Sequence, residues 1–157
     1  MLSLPVSVWF RRSATTSPRA GRPPSKASPA FDRITAFDAS AFGCQIAGEV
    51  KDFDAGKYLG VKEVRRFDRF VHFGVSAGIM ALEDSGLEIT DEFASECGCA
   101  IGSGIGGLPL ICTNNEACNE RGPRRISPFL IPGCIINMTS GQLAIMKNLK
   151  GPNIAHV

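Results

Sequence analysis

The chain has 157 residues, 44% of them hydrophobic and 20% charged, which is the composition of one ordinary folded domain and not of a disordered polymer. Its net charge of +2 is unevenly spread: residues 1 to 31 hold Arg11, Arg12, Arg19, Arg22 and Lys26 and no acid, leaving 12 bases against 15 acids in the remainder. A slightly acidic body argues against a nucleic-acid partner, and no apolar run reaches the roughly eighteen residues that a membrane helix needs.

Residues 1 to 30 read as a disordered Arg/Ser/Pro-rich leader. Prolines at 18, 23, 24 and 29 forbid a regular helix or central strand there. The acid-free, Arg- and Ser-rich composition has the character of an organelle transit peptide, and equally of a misplaced start or shifted frame. A secretory signal does not fit, because the short apolar stretch precedes its charges. The expected location is therefore cytoplasmic, or mitochondrial or plastid if the leader is a transit peptide.

Order is expected from Phe31. Ala47 to Val50 reads as a short strand. Lys62 to Ser85 reads as one long helix, with Phe67, Phe70, Val71, Gly74, Val75, Gly78, Ile79 and Leu82 on a buried stripe of three-and-four spacing. Gly86 stands where a C-terminal cap belongs, and Gly74 and Gly78 suggest close approach of a neighbouring element. Ile89 to Glu96 is a loop or short helix, and Cys97 to Ser103 a strand.

That strand enters Gly102-Ser103-Gly104-Ile105-Gly106-Gly107, whose glycines demand a tight turn. The spacing formally meets the dinucleotide fingerprint, yet the acid expected about twenty residues on, at the end of a second strand, is missing. A structural turn is the better reading; nucleotide binding stays as a weaker one. Leu108 to Asn119 is a possible helix, Arg121 to Arg125 a basic turn, and Ser127 to Pro132 a loop. Cys134 to Asn148 is read as a further helix, and Lys150-Gly151-Pro152 turns the chain into a last strand. Helices alternating with short apolar strands indicate an α/β layer architecture.

The six cysteines, Cys44, Cys97, Cys99, Cys112, Cys118 and Cys134, include no C-x-x-C pair, and His72 and His156 lie far from any ligand-like cluster. They read as free, mostly buried thiols of a reducing compartment, with no metal and no cofactor; zinc binding is the weaker alternative.

Six blocks in order resemble the elongating β-ketoacyl-[acyl-carrier-protein] synthases, most closely the type II member. They are Phe37 to Ser40, Ile46 to Phe53, Ala81 to Leu87, Ala100 to Leu108, Gly122 to Pro132, and Gly151 to Ile154. The resemblance implies an α/β thiolase-like fold, here the incomplete N-terminal half, lacking the first strand and the second half, over residues 31 to 157. It implies a family activity in fatty acid biosynthesis: acyl transfer to a cysteine, then decarboxylative condensation with malonyl carrier protein. The nucleophilic cysteine and both catalytic histidines are expected beyond Val157, so no catalytic residue is assigned and the chain is expected to be inactive alone. Lys62, Arg65, Arg66, Arg124 and Arg125 match a patch that docks acyl carrier protein. Ile105 matches the acyl-pocket gate, and Phe129 and Leu130 match a segment beside the pocket and the dimer interface. The implied partners are acyl carrier protein and a second synthase chain, either an identical copy or a complete subunit. The alternative is a non-catalytic module that binds a carrier protein or a complete synthase.

Overall fold

A computed structural model describes residues 31–157 and the backbone of Val8–Trp9. In chain order the elements are β1 (Val8–Trp9), β2 (Asp32–Arg33), β3 (Ile46–Ala47), α1 (Val61–Arg66), α2 (Arg69–Ser85), β4 (Cys99–Gly102), α3 (Leu108–Arg121), α4 (Leu130–Cys134), α5 (Asn137–Lys147) and β5 (Asn153–His156). Single 3-10 turns lie at Ala55–Lys57, Ala94–Glu96 and Pro123–Arg125. Apart from the two residues of β1, the expected leader lies outside the described residues.

Residues Phe31 to Phe53 belong to one compact unit. In it β2 and β3 pair antiparallel, Asp32 opposite Ala47 and Arg33 opposite Ile46. The strand expected over Ala47 to Val50 is therefore shorter and begins one residue earlier. Beyond it the chain is shaped by a side chain: the Glu49 carboxylate accepts from the Thr35 N–H (2.9 Å), the Thr35 hydroxyl (2.6 Å) and the Ala36 N–H (3.0 Å). Those three bonds hold the Glu49 carboxyl down to about 2 from its ordinary 4.5.

The second unit contains β1 and everything from Asp54 onward. Its sheet runs β1-β4-β5, with β1 antiparallel and β5 parallel to β4. Parallel neighbours need a long crossover, and α3, α4 and α5 supply it. The core forms where α2 gives Val71, Val75, Ile79 and Leu82, β4 gives Cys99 and Ile101, and α5 gives Leu143. The predicted stripe is thus the buried one, Phe67 and Phe70 standing at its margin. Glycine lets α2 and α5 meet: a Cβ on Gly74 would overlap Thr139 Cγ2, and one on Gly78 would overlap Leu143 Cδ2. Gly86 ends α2 in the left-handed region (φ 63°), as a C-terminal cap requires.

Two expectations are corrected. The single helix from Lys62 to Ser85 is two helices, because Phe67 and Asp68 are extended (ψ 148° and 160°). In an unbroken helix the Asp68 N–H would bond to Val64; here it donates to the Gly133 carbonyl at 3.1 Å. The expected helix from Cys134 to Asn148 starts only at Asn137, and part of the expected loop at 127–132 is the short α4. No helix among the described residues is long and apolar enough to cross a membrane.

Candidate functional site

The glycine turn joins β4 to α3, and its backbone is held from several sides. Ser103 donates its N–H to the His156 carbonyl (3.1 Å), and its hydroxyl accepts from the Gly106 N–H (3.1 Å). Gly106 has φ 81°, a conformation that side chains rarely adopt. Gly107 donates to the Cys134 carbonyl at 2.9 Å, and a Cβ on it would stand 2.7 Å from Cys134 Cα and 3.0 Å from Asp68 Cβ. The space these glycines open is filled by the end of α4. Ile105 stands at the tip of the turn, 60% exposed.

A helix start after a glycine-rich turn is the usual seat for a phosphate, because its first amides lack partners. At α3 they do not lack them. Leu108 N–H bonds to the Gly106 carbonyl, Pro109 has no N–H, and Ile111 N–H bonds to Gly107. The remaining donor, Leu110 N–H, is bound at 2.9 Å by Asp68 Oδ2. The carboxylate also suits the positive end of the helix. With its donors used and a negative charge beside it, this helix start does not offer a dinucleotide phosphate a seat.

The predicted cations stand on two elements. Lys62, Arg65 and Arg66 are on α1, Arg124 and Arg125 in the 3-10 turn after α3, and all five are exposed. The ion pairs among the described residues are Lys51–Asp32 and Lys150–Asp91, so none of the five is neutralised by one. Arg66 lies over the Phe129 ring, 4.7 Å from its centroid. Phe129 is fixed from below: buried Asn114 of α3 accepts from the Ser127 N–H (2.7 Å), and the Ser127 hydroxyl accepts from the Phe129 N–H (3.1 Å). Leu130, half-buried, opens α4. One residue of the basic group and one of the apolar group are thus in contact, while Ile105 stands on a different loop.

The thiols are poorly placed for nucleophilic work. Burial pushes the Cys97 and Cys99 thiols up, with Glu96 adding to the effect at Cys97. Cys134 is buried too, and the Cys99 and Cys134 sulfurs donate only to the Ser140 and Ile131 carbonyls. Cys44 and Cys112 are exposed, and among the described residues no cysteine bonds to a histidine. Nor do three His, Cys, Asp or Glu gather there as a metal would need.

Asp68 and Asn114 are the polar anchors that sequence reasoning passed over. Both are buried and both bond backbone far along the chain. Neither carried a local sign, since Asp68 is flanked by Phe67 and Arg69 and Asn114 by Thr113 and Asn115.

Comparison with known proteins decides the family. Residues 26–157 match the family described as "Beta-ketoacyl synthase, N-terminal domain". The chain belongs to the β-ketoacyl synthases. Among curated relatives, the 3-oxoacyl-[acyl-carrier-protein] synthase 2 of Vibrio harveyi is 54% identical over 122 residues, covering 78% of this chain and 29% of the relative. That of Coxiella burnetii is 55% identical over 124 residues, covering 79% and 30%. This β-ketoacyl synthase chain therefore spans just under a third of the length of those relatives. Solved ketosynthases share the fold. The ishigamide ketosynthase/chain length factor matches at TM-score 0.57 and 27% identity over 81% of this chain and 31% of that one. A type II polyketide ketosynthase solved in complex with its acyl-carrier protein also matches at TM-score 0.57, with 25% identity, over 66% and 30%. The thiolase-like α/β class expected from the sequence is thereby established.

Proposed function

We propose that this chain forms the carrier-protein-facing and acyl-facing portion of a 3-oxoacyl-[acyl-carrier-protein] synthase of fatty acid biosynthesis. The observation that carries the reading is the 54% identity to an enzyme of that name across 122 residues, within a family match running from residue 26 to 157. The surface chemistry agrees with it. Five exposed cations suit an acidic carrier protein, steering it at long range and speeding encounter. Arg66, braced on Phe129, joins the cationic face to an apolar one. Ile105, Phe129 and Leu130 supply apolar surface for an acyl chain, and exposed Leu108, Ile111 and Ile131 suit a second synthase subunit.

Condensation itself needs a thiolate with an activating partner in reach. Burial raises the Cys97 and Cys99 thiol pKa values, so on this reading the chain's part is to receive and position.

The test is titration of the purified chain with acyl-carrier protein, at low and physiological salt, followed by intact-mass analysis. Binding should weaken with salt and fall about tenfold or more in a Lys62→Glu/Arg66→Glu variant, with no acyl group on any cysteine. Acylated cysteine, or binding indifferent to both changes, would overturn the reading.

A further inference from the structure

We propose that Asp68 is a positioning residue for the glycine turn: by capping α3 from another helix it fixes the orientation of Ile105, and so the preference for acyl-chain length. This deepens the reading of Ile105 as an acyl contact and rests on it.

Asp68 occupies the N-cap position of α2, where an aspartate ordinarily accepts from an amide two or three residues ahead in its own helix. It makes no such bond. The residue is only 8% exposed, and its side chain instead reaches 42 residues along the chain to the Leu110 N–H. Leu110 is the third residue of α3, the position that an N-cap side chain normally serves. The cap residue of α3 is Gly107, which has no side chain to offer. The cap is therefore supplied by another helix.

Three segments meet at this one residue. The Asp68 N–H holds α4 through the Gly133 carbonyl, Oδ2 holds α3, and Cβ stands 3.0 Å from where a Gly107 side chain would begin. Gly107 in turn donates to Cys134 at the end of α4. The turn is tied at its first end to β5 through Ser103 and His156, and at its second end to Asp68 and Cys134. Between these ties Ile105 has glycine on both sides, so its direction follows the ties. Loss of the carboxylate leaves the Leu110 amide without its acceptor and frees the second end.

The experiment compares Asp68→Ala and Asp68→Asn with the wild-type chain by hydrogen–deuterium exchange, and measures binding of hexanoyl- against palmitoyl-carrier protein. In Asp68→Ala, exchange over residues 103–111 should rise about tenfold while β5 and α5 keep their protection. The ratio of the two affinities should move toward one. Asp68→Asn keeps an acceptor and should largely restore both, with exchange raised no more than about threefold. If Asp68→Ala does not fold, Asp68→Ser takes its place, with the same local rise and the same shift in ratio expected. Unchanged exchange at 103–111 overturns it. Faster exchange with an unchanged ratio also overturns it when Ile105→Ala does shift the ratio. If Ile105→Ala shifts nothing either, the acyl role of Ile105 fails while the Asp68 cap stands.

Discussion

Two glycine-to-alanine substitutions on packed helices should change stability in opposite directions. Gly141 lies within α5 with nothing inside 4 Å of where its Cβ would be. Alanine there should stabilise by about 1 kcal/mol, the difference in helix propensity. Gly74 lies within α2, where the new methyl would overlap Thr139 Cγ2 and stand 3.5 Å from Ile101 Cγ2. Thr139 and Ile101 are each only 1% exposed, and a β-branched threonine has little rotamer freedom with which to yield. Overpacking at such a site costs ~2–3 kcal/mol, so after the propensity gain Gly74→Ala should be destabilised by ~1–2 kcal/mol. Thr139→Ser deletes the methyl responsible; alone it should cost about 1 kcal/mol, and with Gly74→Ala it should return the chain to within ~1 kcal/mol of wild type. The favourable coupling, ~2 kcal/mol, is read from urea unfolding followed by far-UV circular dichroism, with the denaturant slope unchanged. If Gly74→Ala stabilises as Gly141→Ala does, or the two costs simply add, α2 and α5 do not meet as described.

Three further outcomes follow from the burial and titration of single groups. With a thiol reagent under native conditions, exposed Cys44 and Cys112 should react at once, and buried Cys97, Cys99 and Cys134 only on unfolding; fast labelling of Cys99 would contradict its place in the core. The Glu49 carboxyl should titrate near 2 in the amide resonances of Thr35 and Ala36, and a midpoint near 4.5 would mean that the three bonds are not formed. Because that value is depressed on folding, the bonds contribute fully above about 4.5 and are lost as pH falls toward 2. Burial lowers the His72 pKa below its ordinary 6.5, against the pull of Asp68 and with help from Arg69. The unfolded chain therefore takes up that proton first, and stability should drop as pH falls below 6.5; His72→Gln should flatten this part of a urea-midpoint-against-pH curve.

What the sequence disclosed was whatever obeys a local rule. The stripe of α2 is a helical period, so spacing alone assigns Val71, Val75, Ile79 and Leu82 to the core. Gly86 could be read as a cap, and Cys97 to Ser103 as a strand whose observed limits are Cys99–Gly102. The interruption at Phe67 and Asp68 obeys no local rule. Neither residue breaks helices, and it is Gly133 and Leu110, far along the chain, that draw Asp68 out of the helical ladder. The α4 helix was hidden for the opposite reason: Pro132 suggested a loop, yet it is the third residue of α4, where no intrahelical N–H bond is lost.

The same interruption explains why the two groups of predicted site residues converge at one contact. Gly133 lies so near the end of α1 that a Cβ on it would stand 2.7 Å from the Arg66 carbonyl and 2.6 Å from Leu110 Cδ2. That approach depends on Asp68 turning its N–H outward to Gly133, which a continuous helix would have turned inward to Val64. Once α4 is seated there, Phe129 at its start comes under the Arg66 guanidinium, and Gly107 comes under Cys134 at its end. The lost helical bond at Asp68 is replaced, not forfeited, because its amide and its carboxylate each find a backbone partner. A basic helix read as a docking face and a glycine turn read as an acyl contact are thus braced on the two ends of one short helix. That arrangement is invisible in a sequence where the participating residues, Arg66, Gly107 and Phe129, are far apart.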